Sequence, residues 1–282
     1  MGILNVTPDS FSDGGLLGTP DQVVARAEAL LKEGADLLDI GGESTRPGAP
    51  AVSEESERAR VLPAVRAVRE ALPAVPLSID TSKAAVARAA IEAGADIIND
   101  VWGAAAGYTA EERRSWREAG RAHAALPSLH PSPMASAAAD TGAPLILMHN
   151  RPDRAYVAFI DDVILDLRFS LTLALDAGVQ KQQLWLDPGF GFAKEPAQNL
   201  EVLRQLSSIV ALGYPVLLGT SRKSTLGIVA GAAVGDRLEA TAASLVWGIQ
   251  QGASMVRIHD VGQLARTVRV ADAVRAGLTW KP

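Results

Sequence analysis

Eight apolar runs along the chain close on polar residues, and what they close on is chemically uneven. In order they supply Asn5; Asp39 with Glu43, Ser44, Thr45 and Arg46; Asp80; Asn99 with Asp100; His149 with Asn150; Asp187; Ser221, Arg222 and Lys223; and Arg257 with His259 and Asp260. Any one of these alone suits a helix cap or a loop tether. Eight at the same point of a repeating unit do not reduce to capping. Asp80, Asn99, Asp187 and Lys223 offer two carboxylates, an amide and an ammonium. A planar nitrogen heterocycle with a guanidine-like edge calls for such an array of donors and acceptors. Asn5, Thr45, Arg46, Arg257 and His259 form a second set. Its two guanidiniums, with a histidine able to carry charge, suit a phosphate or diphosphate. Arg257 follows an apolar run at an inward position, where an unpaired charge is costly, so it is expected to face a bound anion.

The stretch PVLLGTSRKSTLG, residues 215–227, concentrates this chemistry. A short apolar run reads as a buried parallel strand. Gly219-Thr220-Ser221 ends it, two cations follow, and Ser224 is placed to cap a new helix. The corner should attract an anion. It is not a P-loop: Arg222 stands where the glycine before the lysine belongs, and the loop is too short for G-x-x-x-x-G-K.

The elements that must hold these residues repeat one phrase. A helical stretch ends in glycine, an apolar strand follows, and a polar residue closes it. Helices expected over 22–33, 83–93, 165–177 and 240–251 end at Gly34, Gly94, Gly178 and Gly252, and lead into ADLLDIGG, ADIINDV, LWLDPG and MVRIHD. Glycine there fits the left-handed position just past a helix. With strands at 2–6, 77–80, 145–149 and 216–219, eight β/α units result. They point to an α/β fold, a (β/α)8 TIM barrel in a single domain spanning 1–282, whose strand ends carry the active site. An open dinucleotide-binding sheet would want G-x-G-x-x-G after its first strand; Gly189-Phe190-Gly191 lacks the third glycine and follows the sixth. The first strand begins at Met1, which leaves the barrel floor without a preceding segment to cover it. Residues 104–141, between the fourth and fifth strands, read as an extended surface excursion: a helix over 111–125, then a Pro/Ser-rich loop.

Composition narrows the class. Among 282 residues, 48% are hydrophobic and only 5% aromatic, so Val, Leu, Ile and Ala must fill the core. A net charge of -5 argues against a nucleic-acid surface. There are no cysteines, which excludes thiolate metal sites and suits a reducing, cytoplasmic setting. No apolar run reaches the ~18 residues of a membrane span, so neither a membrane nor a nucleic-acid partner is expected.

Taken together, GILNVTPDSFSDGG (from Gly2), DIGGESTRPGA (from Asp39), SIDTSK (from Ser78), IIND (from Ile97), LMHN (from Leu147), LDPGFGFAK (from Leu186), GTSRKS (from Gly219) and VRIHD (from Val256) resemble the dihydropteroate synthase family in order and spacing, over nearly the whole chain. The resemblance implies a pterin-binding barrel that joins (7,8-dihydropterin-6-yl)methyl diphosphate to 4-aminobenzoate and releases diphosphate. By that similarity Asp80, Asn99, Asp187 and Lys223 bind the pterin. Asn5 ligates Mg2+, and Asn5, Thr45, Arg46, Arg257 and His259 hold the diphosphate. Phe11, Thr45, Pro47, Phe192, Lys223 and Ser224 shape the 4-aminobenzoate pocket, where sulfonamides would compete. Asp13, Arg46, Lys223, Arg257 and His259 are the catalytic set. It also implies a homodimer, in keeping with ATAASLVWG (from Ala240), a helix apolar around much of its circumference. The segment that precedes the first strand in the family is missing from this sequence, and the 104–141 connection is longer than usual.

Other residues have plainer readings. His149 and Asn150 lack a third ligand of suitable spacing, so His149 reads as a structural hydrogen-bonder. Arg222 belongs to the pocket rim or a salt bridge, His123 and His130 to solvent, and Trp116 to the packing of its helix. A pterin-dependent methyltransferase would explain Asp80, Asn99 and Asp187 but not Asn5, STRPGA or SRKS. A non-catalytic pterin binder would not need Asn5, Arg46, Lys223, Arg257 and His259 intact.

Overall fold

The computed structural model describes residues 1–6, 19–44, 51–279 and 281; Phe11, Asp13, Thr45, Arg46 and Pro47 therefore lie outside the described residues. Eight short strands form: β1 (Gly2–Asn5), β2 (Leu38–Gly41), β3 (Leu77–Asp80), β4 (Ile97–Asp100), β5 (Leu145–Met148), β6 (Leu184–Asp187), β7 (Leu217–Leu218) and β8 (Met255–Val256). β1 to β6 pair in parallel and in chain order, and β7 pairs with β8. Bridges at Leu186–Val216 and Gly2–Ile258 join the two sheets. Leu186 N–H donates to Pro215 O at 3.0 Å, and Ile258 N–H to Met1 O at 3.0 Å. The ring closes, giving the expected (β/α)8 TIM barrel. Buried on both faces, such strands lose polar alternation, which is why they read as plain apolar runs.

Around the ring lie α1 (Pro20–Glu33), α2 (Glu54–Ala71), α3 (Ala84–Glu92), α4 (Ala110–Arg121), α5 (Pro133–Thr141), α6 (Phe159–Asp176), α7 (Pro196–Arg204), α8 (Leu206–Val210), α9 (Ser224–Ala230), α10 (Leu238–Gln250) and α11 (Val261–Ala276). The helix-ending glycines Gly34, Gly94, Gly178 and Gly252 have φ of 110°, 115°, 99° and 105°, the left-handed region that a Cβ would strain. Among the described residues no helix is long and apolar enough to cross a membrane.

The period of two along a strand divides each into an outward and an inward row. Outward residues such as Leu38, Ile40, Leu77, Ile79, Leu145 and Leu147 pack under the helices. Inward residues form the floor: Met1, Leu37, Ile146 and Leu217, with Ile97, Trp185 and Met255 against them. Met1 is buried and its amino group donates to Val256 O at 2.9 Å, so these side chains fill the floor that was expected to lie open. Two residues further along, the same rows turn polar: Ile97 is followed by Asn99, Trp185 by Asp187, and Met255 by Arg257. One barrel face thus runs from dry floor to polar mouth.

The 104–141 connection differs from the surface excursion expected. The Pro/Ser-rich loop is there over residues 124–132, but a helix not expected from the sequence follows it: Ser132 caps α5, accepting from Ala135 N–H, and Pro133 sits in the first turn. Met134, Ala135, Ala137 and Ala138 are buried, and α5 packs against α3 and α6 as a barrel helix should. Only α4 is additional, and it is not loosely attached. Arg113, Arg117 and Arg121, one turn apart on one face, reach the carbonyl oxygens of Ala105 and Asn150 and the carboxylates of Asp166 and Asp162 on α6. Trp116 is buried edge-on to Phe169, as packing required. His123 is exposed, while His130, also exposed, stacks on Tyr108 with ring centroids 3.8 Å apart.

Candidate active site

The register brings Asn5, Gly41, Asp80 and Asn99 into one row across β1 to β4, because Asn5 pairs with Gly41, Gly41 with Asp80, and Asp80 with Asn99. Gly41 leaves that row open. A Cβ there would lie 3.6 Å from Asn5 Oδ1 and 3.6 Å from Asp80 Oδ2. Asp187 ends β6, and Arg257 follows β8 with its backbone N–H on Leu218 O at 3.0 Å. Asp80, Asn99 and Asp187 are 8%, 4% and 6% exposed, so their polar atoms are reserved for partners inside the mouth.

Arg257, expected to face a bound anion, is already paired with two carboxylates. Its Nε donates to Asp39 Oδ2 at 2.6 Å and its Nη2 to Asp80 Oδ2 at 2.7 Å. Burial alone would lower its pKa, but Asp39 and Asp80 more than offset that and raise it. Asp39, fully buried, also faces the Asn99 amide at 3.3 Å. Asp39 lies inside β2, two residues before Gly41, and was visible in the sequence, but nothing there says that its partner follows the eighth strand.

Asp80 Oδ1 is buried with no hydrogen-bond partner among the described residues. A buried acceptor left so is costly unless a ligand takes it. Burial drives this carboxyl up to about 7, against the pull of Arg257. Burial raises Asp187 too, opposed by the Gly189 N–H that donates to Oδ1 at 2.7 Å and by Lys223. Lys223 Nζ stands 4.1 Å from the centre of the Phe192 ring, a cation–π contact that brings the seventh-strand corner to the turn after β6.

His259 is placed with the site but not as a cation. Burial, then Arg257 and Arg222, drive its pKa down to about 3, so the ring is neutral. Ser221 Oγ accepts from His259 N–H at 3.1 Å and lies 3.0 Å from Nδ1. Arg222 makes the salt bridge expected of it: its Nε donates to Asp260 Oδ2 at 2.9 Å. Ser224 is not the cap of α9; Lys223 occupies the cap position, and Ser224 is the exposed first residue of the helix.

His149 is the structural hydrogen-bonder expected, completely buried between Asp166 and Lys194. Lys194, also buried, was missed as a partner. It ends LDPGFGFAK, and its type and place in a glycine-rich turn were the only signal. Among the described residues no group of three or more His, Cys, Asp or Glu could hold a metal. Asn5 offers one half-buried amide oxygen. A single hard oxygen suits Mg2+, which keeps several waters and draws further oxygens from a substrate's phosphates.

The chain as a whole is matched by known proteins. The sequence profile of the family described as pterin binding enzyme matches residues 1–259. Dihydropteroate synthase of Bacillus subtilis is 45% identical over 274 residues, covering 97% of this chain and 87% of that protein. Among solved structures, dihydropteroate synthase of Clostridium difficile, determined with pteroic acid, superposes with a TM-score of 0.84 at 40% identity, covering 97% of this chain and 95% of that one. The Xanthomonas albilineans enzyme with 4-aminobenzoic acid gives a TM-score of 0.84 at 40% identity, covering 98% and 93%. With a barrel mouth of this composition and similarity along nearly its full length, the chain belongs to the pterin-binding enzyme family, with the dihydropteroate synthases.

Proposed function

We propose that the mouth divides the dihydropteroate synthase reaction, the condensation of (7,8-dihydropterin-6-yl)methyl diphosphate with 4-aminobenzoate, between two groups of residues. What carries the reading is the row Asn5–Gly41–Asp80–Asn99, open at Gly41, with an unsatisfied acceptor at Asp80 Oδ1. Asp80, Asn99, Asp187 and Lys223 bind the pterin: carboxylates accept from its guanidine-like N–H groups, the Asn99 amide reads a mixed edge, and Lys223 meets a carbonyl. The edge N–H groups of Arg257 that Asp39 and Asp80 occupy are not available to an anion, so its contribution to the diphosphate comes from charge and its remaining N–H groups. Thr45, Arg46 and neutral His259, donating from Nε2, complete that side, and Asn5 holds Mg2+, which when bound neutralises charge on the departing diphosphate.

Departure of diphosphate comes first, leaving a methylene cation conjugated with the pterin. Asp80 and Asp187 stabilise the cationic ring electrostatically from fixed, buried positions. The neutral amine of 4-aminobenzoate then attacks, losing its proton to solvent, and no covalent bond to the chain forms. Phe11, Thr45, Pro47, Phe192, Lys223 and Ser224 surround that amine's ring and carboxylate, and Asp13 assists from its loop. We also assign a homodimer: Val246, Trp247, Val270 and Val274 expose an apolar strip along α10 and α11, in a chain where large apolar side chains are otherwise mostly buried.

The deciding assay is Mg2+-dependent diphosphate release that requires 4-aminobenzoate. No release with that pair removes the reading; pterin binding without release leaves a binding protein. A monomeric mass in sedimentation at micromolar concentration removes the dimer.

A further inference from the structure

A chain of buried hydrogen bonds runs from the additional helix α4 to the aromatic wall of the site. Arg117 Nη1 donates to Asp166 Oδ1 at 2.7 Å, with both side chains almost wholly buried. Asp166 Oδ2 lies 3.2 Å from His149 Nε2, and His149 Nδ1 lies 2.7 Å from Lys194 Nζ. Lys194 Nζ also donates to the carbonyl oxygens of Gly189 at 3.0 Å and Phe192 at 3.1 Å. The Phe192 ring then carries the Lys223 ammonium.

The chemistry of each member fixes the direction of the chain. Burial alone would raise Asp166, but His149, Arg117 and Arg151 outweigh it, so the group is a carboxylate that only accepts. His149 Nε2 must therefore donate, and Nδ1, keeping its lone pair, accepts from Lys194. Burial lowers the Lys194 ammonium to about 7, and in its protonated form all three N–H groups are used, on His149, Gly189 and Phe192. Three acceptors gathered by one tetrahedral donor are themselves fixed in space. Two of them are the carbonyls that bracket the turn after β6. That turn is pressed against β5: Gly189 has φ of +67°, and a Cβ there would meet His149 O at 1.9 Å.

We propose that the relay Arg117–Asp166–His149–Lys194 sets the Phe192–Lys223 wall of the site, with Lys194 as its positioning residue and α4 acting on substrate fit through Arg117. None of the four touches a reacting atom. The inference rests on the reading of Phe192 and Lys223 as lining for 4-aminobenzoate, and it gives the long connection a part in that site.

Two measurements test it. In steady-state kinetics, Lys194→Met and Arg117→Met should raise the KM for 4-aminobenzoate about tenfold, and that for the pterin diphosphate, which meets only the Lys223 side of this wall, by clearly less. Asp166→Asn, whose amide oxygen still accepts from Nε2–H but whose NH2 then faces Arg117, should behave like Arg117→Met, and Asp166→Leu should lose more. Equal losses for both substrates, or no change in either, would overturn the relay. The second measurement needs no turnover. With 4-fluorophenylalanine incorporated and the Phe192 resonance assigned through Phe192→Leu, that line should move in Lys194→Met and Arg117→Met and stay in place in the exposed control Arg204→Met. An unmoved line sinks the relay whether or not the enzyme is active; a moved line in a protein without condensation activity keeps the relay and removes the functional reading. Should Lys194→Met fail to fold, Arg117→Met decides both measurements alone.

Discussion

Arg257 and Asp80 face each other across the barrel mouth, Nη2 2.7 Å from Oδ2, although they stand 177 positions apart in the chain. The pair joins the end of β8 to the end of β3, and Asp39 holds the same guanidinium from β2. The two halves of the site therefore share a charged centre: a cation counted with the diphosphate is held by a carboxylate counted with the pterin.

Removing the cation should leave Asp39 and Asp80 buried without it. Arg257→Met is expected to destabilise the fold by about 3–5 kcal/mol, the usual consequence of breaking one side of a buried ion pair. Asp39→Asn in the same chain should recover part of that loss. Urea denaturation of the wild type, both single variants and the double variant checks it; strictly additive losses would mean that the two side chains act independently.

Proton uptake offers a second check. Burial raises the Asp80 carboxyl to about 7. Pterin N–H donors favour the carboxylate, so binding lowers that value and releases protons. At pH near 7 calorimetry in buffers of different ionisation enthalpy should show net release on pterin binding, reduced in Asp80→Asn. Net uptake would contradict the assignment.

Gly41→Ala separates site from scaffold. The added methyl meets Asp80 Cβ at 3.4 Å and Asn5 Oδ1 at 3.6 Å, ordinary contact distances, so the thermal midpoint should hardly move. The same methyl stands in the row proposed to receive substrate, and kcat/KM for the pterin diphosphate should fall about tenfold, on the order of 1.4 kcal/mol. A large loss of stability with unchanged kinetics would reverse the reading.

Stability should depend on pH through His149. Burial, reinforced by Lys194, lowers its pKa from 6.5 to about 4. Between those values the unfolded chain binds the proton and the folded chain does not, so this group's contribution is complete above pH 6.5 and is lost as pH falls toward 4. Asp80, raised in the folded state, has the opposite slope in that range. The comparison to make is with His149→Gln, whose stability should fall less steeply by about 1.4 kcal/mol per pH unit. Urea midpoints between pH 4.5 and 6.5 measure it, and parallel curves would exclude a buried neutral His149.

The sequence carried the site's membership better than its wiring. Asp80, Asn99 and Asp187 were legible because each closes an apolar run at the same point of a repeated unit, and the barrel does bring them to one mouth. Lys223 was legible from its place after the seventh run. The Arg257–Asp39 pair was not, since a contact between residues 218 apart leaves no local pattern. Nor was the charge of His259, which is decided by burial and by two arginines. The α5 helix was masked by the Pro and Ser of its own start, although Ser132-Pro133 followed by Gly142 is also a cap, a first turn and a stop.

The arginine stripe of α4 bears on how small this barrel can be made. An added helix is the natural segment to delete when a fold is pared to its repeating units. Here Asp162 and Asp166 sit inside the protein, 1% and 6% exposed at the side chain, with Arg121 and Arg117 as counterions. Excision of residues 110–121 would take the close guanidinium from each acid and leave Arg151, at 3.9 and 3.6 Å, as the one cation they share. A minimal version of this enzyme must therefore redesign α6 together with the cut, so the extra helix and the barrel can be reduced only as one unit.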